Sequence, residues 1–316
     1  METPSRVYIA PEGYEDILAE ELALRGTPPL WRRGRLFGMG AAADTPSGTF
    51  SSDPVWVQNI WRAPRFIPVT SIAHAAKELK AMGRNWAFLP LELHRRAALI
   101  TEKLPHRSAK PFVFGSPVPT APMGGWTLWD NNLILASPDT SSPFANGEVH
   151  FDEDKEGPPS RAYLKLWECF TLTRHMPKAG EHCIDLGSCP GGWTWVLAQL
   201  GATVLSMDKA PLDPAVEAMP TVSYRKESAF AADPKLLGPV DWLFSDVICY
   251  PARLVTMIRR WLDAGVCRNF VCTIKFQGET DHAATAELAS IPGSRILHLS
   301  HNKHELTWVL LDSADR

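Results

Sequence analysis

Several features that would narrow the class of this chain at once are missing from it. The six cysteines, at 169, 183, 189, 249, 267 and 272, form no C-x-x-C pair. Neither a zinc site nor a dithiol redox motif is therefore expected, and no metal is. Several of these cysteines sit inside apolar segments, where Cys acts as a small hydrophobe, which fits a reducing cytoplasm. No apolar run approaches the length of a membrane span, so no membrane is expected as a partner. The opening METPSRVYIAPEGYEDI has neither the basic start nor the apolar core of a signal peptide. Internal repeats and low-complexity tracts are absent, and nothing indicates an obligate protein partner. The net charge of −3 gives no bulk attraction for a polyanion.

What is present is enough chain for two domains: 316 residues, 45% of them hydrophobic. Residues 6–26 predict a strand (VYIA), a turn and a helix (YEDILAEELALRG) stopped by Gly26. RLFGMG and PVWVQNIW follow as candidate strands, which makes 1–60 a small α/β unit. Residues 70–104 read as two helical pieces, SIAHAAKELKAMGRN and LPLELHRRAALITEKLP. LWDNNLILAS reads as a hairpin with Asn131 and Asn132 at the bend. Residues 140–159 are polar and rich in Pro, Gly and Asp, and mark a boundary. From 160 onward helices and strands alternate, the pattern of a mostly parallel sheet covered on both faces. The reading is α/β, with a Rossmann-like domain at 151–316 behind a smaller α/β region.

Charge is uneven along the chain. Residues 61–111 hold ten Lys and Arg against three Glu. Phosphate backbones are held by such local excesses even on an acidic protein. Arg95, Arg96 and Arg107 are the candidate RNA-binding residues; a solvated helical face is the bland alternative. Trp61, Trp86, Trp126 and Trp129 lie in or near this stretch, and core packing is expected of them before base stacking.

The most informative stretch is 183–195, CIDLGSCPGGWTW. It reads as a buried strand, a tight Gly/Pro loop and the start of a helix. Such a unit places a ligand at the carboxyl end of the strand, over the helix N-terminus. Asp208 ends the next strand, ATVLSMD, where an acid typically accepts hydrogen bonds from ribose hydroxyls. The pair suggests a nucleoside-bearing ligand. A dinucleotide loop would read G-x-G-x-x-G, but Cys189 stands where the second glycine belongs, which weighs against a pyrophosphate and so against NAD.

DLGSCPGGWTW resembles motif I of the FtsJ-like RNA ribose 2′-O-methyltransferases. That family carries catalytic residues in the order Lys, Asp, Lys, Glu. The resemblance assigns them here to Lys165 in PSRAYLKL, Asp246 at the end of DWLFSDV, Lys275 in CTIKF and Glu305 in ELTWVLL. SPFANGEVHF, GSCPGGWTW and WLDAGVCRNFVCTIKF further resemble the RlmM type, which methylates a cytidine ribose of large-subunit ribosomal RNA. The resemblance implies S-adenosylmethionine as cofactor, RNA as partner and a THUMP-like RNA-binding region at 61–150. Its implied cofactor positions are Ser160, Asp185, Gly187, Cys189, Pro190, Gly191, Gly192, Trp193, Asp208 and Asp246. Ser228 stands where the family usually has an Asp for the adenine amino group.

Each role is physically sensible. The methyl donor is already activated, so the enzyme mainly aligns the reactants. A ribose hydroxyl must shed its proton, and a lysine takes it only when neutral, a state that a second nearby cation favours. Lys275 is then the expected base, Lys165 the second cation, and Asp246 and Glu305 the groups that orient them. One rival reading is an RNA-binding assembly factor with a non-catalytic methyltransferase fold, which the intact tetrad opposes. Others are a nicotinamide-dependent oxidoreductase and an enzyme of the same branch acting on another RNA or a cap. His298, His301 and His304 are spaced by three, but on a strand and turn rather than one helix face, so no metal site is expected of them.

Overall fold

The structure is a computed structural model that describes residues 2–41, 53–106 and 110–312. The chain divides into two compact units, Met1–His150 and Phe151–Arg316.

Among the described residues the first unit holds two four-stranded sheets. In one, β1 (Arg6–Ile9), β2 (Trp31–Arg33), β3 (Leu36–Met39) and β4 (Asn59–Trp61) lie in the order β2-β3-β1-β4. Helix α1 (Glu15–Leu24) follows β1. In the other sheet, β5 (Arg65–Pro68), β6 (Trp86–Phe88), β7 (Gly124–Asp130) and β8 (Leu133–Ser137) are ordered β5-β8-β7-β6. Helices α2 (Ile72–Met82) and α3 (His94–Thr101) lie between β5 and β7 in the chain. Ser71 caps α2 by accepting from the His74 amide at 3.1 Å. Ala75, Ala76 and Leu79 of α2 and Ala97 and Ile100 of α3 pack against Trp126, Leu128 and Ile134.

Strands β5 and β6 depart from the sequence expectation. Segments of three or four residues show no period, and β6 falls between the two helical pieces. PVWVQNIW yields a strand only over Asn59–Trp61, because the amides of Val55 and Trp56 are bound instead by the buried Glu21 carboxylate, at 2.9 and 3.0 Å. The hairpin at 131–132 is present, between β7 and β8. No break in packing falls at residue 60, since Val7, Ile9 and Leu36 share a cluster with Trp61, Trp129 and Leu135. Trp61, Trp86, Trp126 and Trp129 are all buried, so core packing is their role and base stacking is not.

Among the described residues the second unit is built on one seven-stranded sheet. Its strands are β9 (His182–Leu186), β10 (Thr203–Asp208), β11 (Val222–Lys226), β12 (Val240–Ser245), β13 (Cys267–Lys275), β14 (Ser294–Leu297) and β15 (Glu305–Leu310), in the order β11-β10-β9-β12-β13-β15-β14. The first five run parallel, and β15 alone is reversed, pairing antiparallel with β13 on one side and β14 on the other. The helices are α4 (Tyr163–Thr173), α5 (Gly192–Gln199), α6 (Pro214–Glu217), α7 (Pro234–Leu237), α8 (Pro251–Ala264) and α9 (His282–Ala289). Pro251 opens α8, and Gly265 ends it in the left-handed conformation. Strand order reverses between β9 and β12, and ligands of open α/β sheets bind in the crevice at such a point.

Among the described residues no helix is long and apolar enough to cross a membrane.

In the first unit a Cβ on Gly125 would lie 2.2 Å from Trp61 Nε1, with the rigid indole fully buried. Gly125→Ala should lower the unfolding free energy by about 1–3 kcal/mol, the cost of overpacking a filled core. Urea denaturation followed by tryptophan fluorescence measures it, and an unchanged midpoint would mean that the indole can move aside.

Candidate active site

Leu186 ends β9, and the chain turns through Gly187 to reach α5 at Gly192. Gly187 has φ +76°, and a Cβ there would lie 2.6 Å from the Cβ of Val247. The loops after β9 and β12 thus meet at van der Waals contact, which only glycine permits. At Gly192 an added Cβ would come within 2.7 Å of Ser160 Oγ, so the bare backbone lets the segment before α4 close on the loop. Gly191 has φ +114° and makes the turn into α5.

These loops enclose a cleft of about 300 Å³, at the low end of small-molecule sites. Of the positions that the resemblance assigns to a cofactor, Ser160, Asp185, Gly187, Cys189, Pro190, Gly192, Trp193, Asp208 and Asp246 line this one cleft. Lys275 lines it too, as do Ser188, Val247 and Ile248, which sequence reasoning had not singled out. Gly191 is not in the wall; it shapes the loop from behind, against Leu212 and Val216. Ser228 lies outside this cleft as well, in an adjoining recess that shares Gly187, Asp208, Val247 and Ile248 with it. Asp208 accepts from the amides of Cys189 at 3.1 Å and Ala210 at 3.0 Å, which fixes its carboxylate beside the loop.

The four tetrad side chains converge at one edge. Lys165 Nζ donates to both oxygens of Asp246, at 2.8 and 2.9 Å, and to Glu305 Oε1 at 3.1 Å. Lys275 Nζ donates to the main-chain oxygen of Asp246 at 2.6 Å and lies 3.2 Å from its Oδ1. The antiparallel register pairs Lys275, at the end of β13, with Glu305, at the start of β15. Burial disfavours the Lys165 ammonium, but the charges and hydrogen bonds of Asp246 and Glu305 outweigh it, and its pKa lies above the ordinary lysine value.

Asp185 is fully buried and accepts from Thr194 Oγ1 at 2.7 Å. Burial pushes its pKa up to about 7, against the Thr194 hydrogen bond and with help from Asp246 and Asp208. Its Oδ1, like the buried Oγ atoms of Ser160 and Ser188, has no hydrogen-bond partner. Thr194, hydrogen-bonded in turn to Ser206, went unnoticed in the sequence, where a threonine inside GGWTW reads as ordinary helix. Glu168 on α4 was missed too. Its signal was a lone acid in the apolar run LKLWECF.

Of the candidate RNA-binding residues, Arg95 is exposed and Arg96 half-buried on α3, while Arg107 lies outside the described residues. Among the described residues no group of three or more His, Cys, Asp or Glu is placed to hold a metal. His301 Nδ1 is engaged by Glu168, and His304 Nε2 by Thr280.

Residues 158–290 match the family model of FtsJ-like methyltransferase. Ribosomal RNA large subunit methyltransferase M from Azoarcus sp. (strain BH72) is 34% identical over 168 residues, 48% of this chain and 46% of its own length. The protein of the same name from Edwardsiella ictaluri is 30% identical over 210 residues, 63% of this chain and 52% of its own length. The chain spans about half the length of the curated relatives it matches. TrmN from Thermus thermophilus, a solved structure, aligns over 97% of this chain and 99% of its own at 11% identity, with a TM-score of 0.40.

The proton affinity of Asp185 has a measurable consequence. The folded chain keeps a proton up to about pH 7 that an ordinary Asp releases near 3.8. Stability therefore falls as pH rises through that window and levels off above it. Asp185→Asn retains an acceptor for Thr194 and removes this dependence. Its gain in melting temperature over the wild type should be larger at about pH 8 than at about pH 5. Equal gains at both would give Asp185 an ordinary pKa.

Proposed function

We propose that this chain is an S-adenosylmethionine-dependent RNA ribose 2′-O-methyltransferase of the cytoplasm, and that its target is a cytidine of large-subunit ribosomal RNA. The observation that carries the reading is the convergence of Lys165, Asp246, Lys275 and Glu305 at the edge of the cleft. The name shared by the curated relatives supports the choice of RNA.

The cleft fits the cofactor on its own chemistry. The carboxylates Asp208 and Asp246 line it beside Asp185, which ionises near pH 7 and more readily with a cation at its side, and Lys275 is its one lining cation among the described residues. Such a wall repels a pyrophosphate and attracts a cation. The unpartnered acceptor oxygens of Asp185, Ser160 and Ser188 suit an ammonium-bearing ligand. S-adenosylmethionine, when bound, supplies an activated methyl group. Ser160, Asp185, Gly187, Cys189, Pro190, Gly192, Trp193, Asp208 and Asp246 would hold it, with Gly191 shaping the loop and Ser228 serving the adjoining recess.

The two lysines divide the remaining work. Lys165 is held in its charged form by Asp246 and Glu305 and serves as a fixed cation. Lys275, whose Nζ touches only Asp246 among the tetrad carboxylates, is the group that takes the ribose hydroxyl proton. Asp246 orients both. In the first unit, Arg95, Arg96 and Arg107 are proposed to contact RNA phosphates, and residues 61–150 to act as a THUMP-like RNA-binding region.

Large-subunit ribosomal RNA lacking the modification, incubated with labelled S-adenosylmethionine and mapped for 2′-O-methyl groups, tests this directly. Lys275→Ala should slow transfer by roughly 10²–10⁴-fold, the contribution of a positioned base, with cofactor affinity retained. Lys275→Arg should not rescue, because an arginine is effectively never deprotonated. Near-normal turnover in the arginine variant would remove Lys275 as the base. Label appearing on a base, or on no RNA at all, would overturn the reading itself.

Replacing Arg95 and Arg96 by Ala should weaken RNA binding and flatten its salt dependence, since fewer counterions are released. Binding isotherms at several salt concentrations read this out. An unaltered slope would leave α3 a solvated face.

A further inference from the structure

Glu168 is a buried acid that the chemistry above does not use. It lies on α4, one turn beyond Lys165, and is 1% exposed. Its Oε1 accepts from the amide and the hydroxyl of Ser300, at 2.8 and 2.9 Å. Its Oε2 accepts from the amide and Nδ1 of His301, at 3.0 and 2.6 Å. Four donors from two successive residues thus close on one carboxylate.

Glu305 lies four residues beyond His301, at the first position of β15. Lys165 donates to it directly. Helix α4 therefore holds the segment 300–305 at both ends, by Glu168 at 300–301 and by Lys165 at 305. Between these points the segment is tied by Asn302 Nδ2 to Thr307 Oγ1 at 3.3 Å, and by His304 Nε2 to Thr280 Oγ1 at 2.9 Å. An apolar side chain at 168 would fill the same space but would not fix the turn in register, because packing is not directional while hydrogen bonds are.

We propose that Glu168 is a positioning residue for Glu305, holding the 300–301 turn so that the carboxylate reaches Lys165 and the tetrad is complete. The effect on rate rests on the proposed methyl transfer; the effect on geometry does not.

The experiment uses the full chain and the variants Glu168→Gln, Glu305→Gln and the two combined. Glu168→Gln turns amide hydrogens toward donors on one side of the carboxylate and should loosen the turn. Single-turnover methyl transfer should fall on the order of 10–100-fold, as for a small misplacement of a reacting group, with cofactor affinity kept. In the Glu305→Gln background the same change should cost less than about two-fold. A merely structural role would lower the rate by the same factor in both backgrounds, and that result would overturn the proposal.

A readout without activity is the titration of Lys165, followed through its labelled ε-carbon by NMR. When Glu305 moves away, Lys165 stays buried beside Asp246 and Lys275 but loses one of its two anions. Its pKa should then fall in Glu168→Gln. An unchanged Lys165 titration sinks the inference. If the wild type methylates no RNA, the proposed function fails while this titration still decides the role of Glu168. Ser300→Ala, which removes one of the four donors, should move the same readouts in the same direction by less, and serves if Glu168→Gln does not fold.

Discussion

An ammonium group whose side chain is 9% exposed cannot be brought out of water without anions to meet it. The effective cost is several kcal/mol for an unpaired charge. Lys165 is met by Asp246 and Glu305, and these three residues come from three different elements: α4, the loop after β12 and the start of β15. The pairing therefore constrains the sheet at its carboxyl edge. Any shift of one element leaves an uncompensated charge in a site too dry to tolerate it. The antiparallel pairing of β15 with β13 follows the same constraint, since it brings Glu305 across from Lys275.

The same edge concentrates carboxylates. Asp185 is the extreme case, fully buried with one oxygen lacking a partner. Its neighbours Asp208 and Asp246 add like charge, and the group answers by keeping its proton up to about pH 7. A cation placed beside these acids would favour their charged forms. This is the physical content of motif I: the glycines bring two loops into contact, and the acids set the charge of what fits between them.

The alternation of helix and strand after residue 160 was legible in the sequence because its elements are long enough to show a period. Motif I and Asp208 were legible as a strand, a glycine loop and an acid at the next strand end, and the four tetrad residues were singled out only through the resemblance to the FtsJ-like family. Strands β5 and β6 were not, being too short, and neither was the loss of strand over 54–58. There a single buried acid, Glu21, takes amides that would otherwise pair, and nothing local in PVWVQNIW signals it. Glu168 and Thr194 escaped for a related reason: their partners lie 132 and 9 residues away in sequence. Long-range polar bonding leaves no periodic trace.

Net charge was the least informative number in the sequence, and the structure explains why. The total of −3 is a sum over regions of opposite chemistry. Residues 61–111 carry a surplus of Lys and Arg, whereas the cleft of the second unit is walled by Asp185, Asp208 and Asp246. The proposed transfer from a cationic donor to a polyanion would call for both. Under that proposal a basic cleft would repel the donor, and an acidic surface throughout would repel the RNA. The two demands cancel in the total, so only the distribution of charge along the chain carries the information.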